Sequence, residues 1–117
     1  MQISFHDKSP IYRQLSERLR ELILEGVYNN GDALPSVRQI ASEHRINPIT
    51  VSKAFQMLVD EALVEKRRGL GMYVTAGARE ELIEDERRRF LEVDLPDFKD
   101  RAERLGFSVD ELLKEVL

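Results

Sequence analysis

Residues 34–75 read LPSVRQIASEHRINPITVSKAFQMLVDEALVEKRRGLGMYVT, from Leu34 to Thr75, and this stretch decides the fold. Ser36 with Gln39 three residues later has capping-box spacing, so a helix starts there. Val37, Ile40 and Ala41 follow at i, i+3, i+4 and give that helix one narrow apolar face. Asn47-Pro48 opens a second helix, an N-cap followed by the residue type suited to the first helical position. Val51, Ala54, Phe55, Leu58 and Ala62 recur at helical spacing behind it, while Ile49, Thr50, Ser52 and Lys53 face elsewhere. Leu63 to Arg67 and Met72 to Thr75 then alternate as two strands around Arg68-Gly69-Leu70-Gly71. Two short helices on a tight turn and a hairpin with a basic, glycine-punctuated tip make a winged helix-turn-helix. A helix that is apolar behind, with short hydrogen-bonding residues in front of its first turn, can lie in a DNA major groove.

Upstream, Met1 to Lys8 is a short arm ending in Ser9-Pro10, expected as N-cap and first-turn proline. The next helix runs from Ile11 to about Glu25, with Ile11, Leu15, Leu19, Leu22 and Ile23 on one stripe and Gly26 at its end. Its other face is charged, with Glu17 set to pair with Arg20 and Glu21 with Arg18. Asn29-Asn30-Gly31-Asp32 is turn chemistry, and Pro35 forces an extended approach to Ser36.

Downstream, residues 76–117 hold three amphipathic pieces. Leu82, Ile83, Phe90 and Leu91 form the first stripe, which Asp94-Leu95-Pro96 is expected to break. Phe98, Ala102 and Leu105 mark a second helix stopped by Gly106. Ser108 and Glu111 cap a third that carries Val109, Leu112, Leu113 and Val116. Forty-odd residues in three such pieces cannot close an ordinary core, so their stripes need a partner surface. The two-fold symmetry of DNA half-sites suggests the same tail from a second subunit. Dimerisation is therefore expected through Leu82, Ile83, Phe90, Leu91, Phe98, Leu105, Leu112, Leu113 and Val116. Arg87-Arg88-Arg89 has acidic neighbours on both sides and reads as a solvated helix face.

The 117 residues support one domain and a small appendage, and the expected division is 1–76 and 77–117. The chain is 42% hydrophobic and 34% charged, with a net charge of −4. Residues 1–76 hold ten Lys/Arg against nine Asp/Glu, whereas residues 77–117 hold eight against thirteen. The acidic excess thus sits in the tail and leaves the head free to present a basic face. No cysteine is present, which excludes disulfides and thiolate metal sites and points to a reducing cytoplasm. No apolar run approaches a membrane span.

Pro10-Ile11-Tyr12-Arg13-Gln14-Leu15, Gly31-Asp32, Leu34-Pro35-Ser36-Val37-Arg38, Asn47-Pro48-x-Thr50-Val51 and Arg68-Gly69-x-Gly71-x-Tyr73-Val74 stand in register. Together they resemble the DNA-binding head of GntR-family transcription regulators over residues 10–75. The Ser-Val-Arg and Asn-Pro-x-Thr-Val wording, with so short a tail, is similar to the YtrA subfamily in particular. The aminotransferase-like branch of the family shares this head but appends a large cofactor-binding domain, for which there is no sequence here.

The resemblance implies roles. Arg38 would reach into the major groove, where a guanidinium offers two donors matched to guanine O6 and N7. Ser36 would cap its helix and seat a phosphate. Pro48, Ile49, Thr50, Ser52 and Lys53 would form the front of a recognition helix spanning about 48–61. Arg67, Arg68, Gly69 and Gly71 would bring the wing, residues 67–71, to the minor groove. Three positions depart from the family pattern. Arg45 occupies an inter-helix turn that usually holds glycine, and its charge suits a phosphate. Ile49 replaces a frequent Asn and suits a thymine methyl. Ala62 stands where glycine usually precedes the wing.

Catalysis finds no support, since no nucleophile has a base partner in any motif. His6 and His44 lack the companion ligands a metal needs, so neither metal nor cofactor is expected. The expectation is a homodimeric repressor that binds double-stranded DNA at a palindromic operator, with an effector of unidentified chemistry left open. Gly77, in the Thr75-Ala76-Gly77 junction, is expected to act as its hinge. The alternative is a winged-helix protein-protein interaction module without sequence-specific DNA binding.

Overall fold

The computed structural model describes residues 1–116, the side chain of Val116 excepted. Two compact units divide at Leu82/Ile83, inside a helix rather than at the wing. The first unit holds α1 (Ile11–Leu24), α2 (Val37–His44), α3 (Pro48–Asp60), β1 (Val64–Arg67), β2 (Gly71–Val74) and the start of α4 (Ala78–Arg89). The second holds the rest of α4, a π-helical turn (Phe90–Asp94), α5 (Leu95–Arg104) and α6 (Val109–Val116).

In the first unit α1 and α2 both pack on α3. Leu15, Leu19, Ile23, Ile40, Val51, Phe55 and Leu58 meet there without solvent exposure, and Val64 and Val74 close the core from the hairpin. Gly26, at φ 82°, ends α1 in a Schellman turn, with Val27 N–H donating to Leu22 O at 2.9 Å. At the other end Pro10 is itself the N-cap and offers no side-chain bond. Gln14, inside the helix, instead bonds the segment that precedes it. Its Nε2 donates to the carbonyls of His6 and Ser9, both at 2.7 Å, and its Oε1 accepts from His6 N–H at 3.0 Å. This fastens the N-terminal arm, whose Met1, Ile3 and Phe5 pack on the core.

The charged face of α1 differs in one respect from the expected pairing. Arg18 does pair with Glu21 at 2.9 Å, but Arg20 reaches across to Glu61 instead of Glu17. Nε and Nη2 both engage that carboxylate, with Nε to Oε2 at 2.7 Å. The fork fits a carboxylate brought close by tertiary packing better than one on its own helix.

The hairpin is antiparallel, with Val64 opposite Val74, Glu65 opposite Tyr73, Lys66 opposite Met72 and Arg67 opposite Gly71. The Gly31-Asp32 segment does more than turn. Leu34 N–H donates to Met72 O and Val74 N–H to Asp32 O, both at 2.9 Å, which pairs residues 31–34 with the outer side of β2.

Beyond the wing the structure alters the expected anatomy. Ala78 and Leu82 are buried in the head's own core, so Leu82 is drawn inward and is not free for a second subunit. Arg79 Nε donates to Leu24 O at 2.9 Å, capping a carbonyl at the end of α1. Thr75 Oγ1 donates to Ala62 O at 2.7 Å. With its amide turned over, Asn30 meets Thr75 O with Nδ2 and Gly77 N–H with Oδ1, each at 3.2 Å. Gly77 takes φ 83° to make this turn. The junction expected to swing is thus tied to the head on both sides of Gly77, which argues against a free hinge there.

In the second unit, Asp94-Leu95-Pro96 does not end the helix. Proline lacks an N–H and its ring crowds the carbonyl four residues back. The chain widens by one residue instead, Leu95 N–H bonding to Phe90 O, and helix continues to Arg104. Gly106 at φ 80° then stops α5, and Phe107 N–H closes the turn on Ala102 O at 2.9 Å. Ala102 is the one buried residue among the described residues of this unit. Phe90, Leu91, Phe98, Leu105 and Leu113 are exposed, Leu91 by 61% and Leu105 by 70%. Ile83 and Leu112 are half-buried. Val116, expected on the same stripe, has its side chain outside the described residues.

Candidate nucleic-acid interface

The turn between α2 and α3 sets the geometry. Ser36 Oγ accepts Gln39 N–H at 3.0 Å and Gln39 Oε1 accepts Ser36 N–H at 2.8 Å, so the capping box is complete. The serine's own O–H remains a donor for an outside acceptor. Arg45 sits in the left-handed region at φ 54°, ψ 48°, and Ile46 N–H returns to Ala41 O at 3.0 Å. Asn47 Oδ1 accepts Ile49 N–H at 2.9 Å, and Pro48 takes the first helical position. Each step is local, which is why the turn is readable from its residues.

What this presents is the first turn of α3. Ile49 is 76% exposed and Ser52 and Lys53 are exposed, while Thr50 is half-buried. Arg38, Ser42 and Pro48 line one shallow depression, which brings Arg38 beside the start of α3. Arg38, Arg45 and Arg68 are exposed, and none has an ion-pair or hydrogen-bond partner among the described residues. An exposed guanidinium without a partner keeps its five donors for another molecule.

Two of the expected cations rest on tyrosine rings. Lys53 Nζ lies 4.1 Å from the centroid of the Tyr12 ring, held against α1. Arg67 is engaged within the wing. Its guanidinium carbon is 4.1 Å from the Tyr73 ring centroid, and Nε and Nη2 donate to Glu65 Oε1 at 3.2 and 3.1 Å. Arg68 at the tip is left as the outward cation. Gly69 and Gly71 have φ of 77° and 113°, and a Cβ on either would meet nothing within 4 Å. Backbone conformation, rather than crowding, calls for glycine at both.

Lys66 and Gln56 stand outside the sequence motifs. Both line a groove with Ser36 and Ser52 between α3 and the wing. The period of a strand contains the signal, because Lys66 shares a face with buried Val64 while Arg67 takes the opposite one.

The model of the bacterial regulatory proteins of the gntR family matches residues 11–74. The chain belongs to the GntR family. This GntR chain is 42% identical over 84 residues to the HTH-type transcriptional repressor YtrA of Bacillus subtilis, a match covering 72% of the chain and 65% of that relative. Among solved structures, a transcriptional regulator from Oenococcus oeni superposes with a TM-score of 0.80 at 29% identity, covering 97% of this chain and 93% of that one. YtrA from Sulfolobus acidocaldarius, a GntR-family transcription factor, gives 0.60 at 32% identity, covering 99% and 92%. These relatives of the GntR chain are transcription regulators, not enzymes. No described helix is long and apolar enough to cross a membrane.

Proposed function

We propose that this GntR regulator is a homodimeric repressor that acts in the cytoplasm on a palindromic operator. Its α3 enters the major groove, and its wing, led by Arg68, reaches the minor groove. Arg38 reads a base edge, Ile49 contacts a thymine methyl, and Ser36, Arg45, Thr50 and Ser52 hold the phosphates. The observation that carries this reading is the outward first turn of α3, with Ile49 76% exposed and an unpaired Arg38 beside it. An exposed apolar residue beside unpartnered guanidinium groups suits a surface that meets both a thymine methyl and phosphates. Dimerisation through the second unit is supported by its exposed Phe90, Leu91, Phe98, Leu105 and Leu113. An apolar surface of this kind with so little buried beneath it marks an interaction face.

The test is selection of bound duplexes from a random pool, followed by binding titrations over a salt series. An inverted repeat should be enriched, and its affinity should fall steeply with salt. Recovery of no common sequence would leave the head as an interaction module.

A further inference from the structure

Lys53 and Arg67 each lie 4.1 Å from a tyrosine ring, and the difference between them is informative. Arg67 also bonds Glu65, so its charge is offset within the wing. Lys53 has no carboxylate partner among the described residues. An aromatic face attracts an ammonium through the ring quadrupole without neutralising it. The remaining ammonium hydrogens stay free to donate, and the full positive charge is kept. Tyr12 is itself half-buried against the head core, so the ring is a fixed platform. Lys53 stands one helical turn after Ile49, on the same exposed surface of α3.

Resting on the DNA-binding reading above, we propose that Tyr12 is a positioning residue of the DNA interface. It holds Lys53 as a pre-oriented, fully charged phosphate donor on the flank of α3. A free lysine loses rotamer freedom when it is immobilised. Tyr12 removes part of that loss before DNA arrives, and so makes the start of α1 part of the interface without contacting a base.

A double-mutant cycle in the full chain tests this, with the selected duplex as probe and thermal unfolding followed in parallel. Lys53→Met should flatten the salt dependence by about one unit of slope. Tyr12→Leu should weaken binding by about two- to fivefold, the range of an exposed cation–π contact. Tyr12→Phe, which keeps the ring, should restore wild-type affinity. In the Lys53→Met background, Tyr12→Leu should produce no further loss. An equal loss in both backgrounds, or failure of the phenylalanine to restore binding, would overturn the proposal. Should Tyr12→Leu unfold the head, the ring-current shift of the Lys53 ε-methylene decides instead. It should persist in the DNA complex, and its disappearance there would overturn the proposal. A wild-type chain that binds no duplex would overturn the DNA-binding reading as well, whereas tight wild-type binding with no Tyr12 effect would overturn this inference alone.

Discussion

The Arg67 guanidinium stacks on Tyr73, 4.1 Å from its ring centroid, and the cross-strand register makes this possible. Glu65 lies opposite Tyr73 and Arg67 opposite Gly71, so the three side chains share one face, and glycine leaves room for the diagonal reach. A basic pair in the sequence thus becomes one engaged cation and one free cation.

The two arginines should therefore separate in a salt titration. Arg68→Ala is expected to weaken binding to every duplex and flatten the salt dependence by about one unit. Arg67→Ala should leave the slope nearly unchanged. Fluorescence anisotropy at several salt concentrations distinguishes them, and equal flattening by both would return Arg67 to the phosphate contacts.

Arg38→Ala should lose roughly 1–3 kcal/mol of specific binding and relax preference at one base position. Binding to a panel of single-base operator variants measures both effects. An equal loss on specific and random DNA would assign Arg38 to the backbone.

Ala62 has φ 61°, a left-handed conformation that an alanine Cβ disfavours. Thr75 Oγ1 and Leu58 O hold the segment there, through bonds to Ala62 O and Leu63 N–H. Ala62→Gly should raise stability by about 0.5–1 kcal/mol despite the greater freedom glycine has when unfolded. Urea denaturation gives the value, and a loss of stability would mean that the methyl packs usefully.

Residues 1–82 alone should fold and sediment as a monomer, since they contain their own core. A chain stopped at Thr75 lacks buried Ala78 and Leu82 and should be less stable by roughly 2–4 kcal/mol. A dimer of residues 1–82 in sedimentation would place the interface in the head.

Much of this anatomy was legible because its causes are local. The Ser36–Gln39 box, the Asn47-Pro48 start, the Gly26 stop and the period-2 strands each depend on neighbours a few residues away. What escaped depended on distant partners. Arg20 turned to Glu61 only because α1 and α3 pack together, and Leu82 turned inward because its helix starts against the head. Pro96 misled for another reason. A π turn tolerates a proline that the ordinary helical register cannot, and no short sequence pattern announces it. In the candidate interface, residue types and faces were readable. The engagement of Arg67 and the resting place of Lys53 were not, because both depend on which ring lies within reach.

Affinity of the full chain for operators whose half-site separation is varied one base pair at a time tests the two-headed reading most directly. Two recognition helices on a common dimer must lie about one helical turn apart, roughly 34 Å, or a multiple of it. Binding should be tightest at one spacing and at least about tenfold weaker when the half-sites are moved by about five base pairs, half a turn, onto opposite faces of the duplex. Affinity indifferent to spacing, with one chain bound per half-site, would contradict a dimeric reader of palindromic DNA.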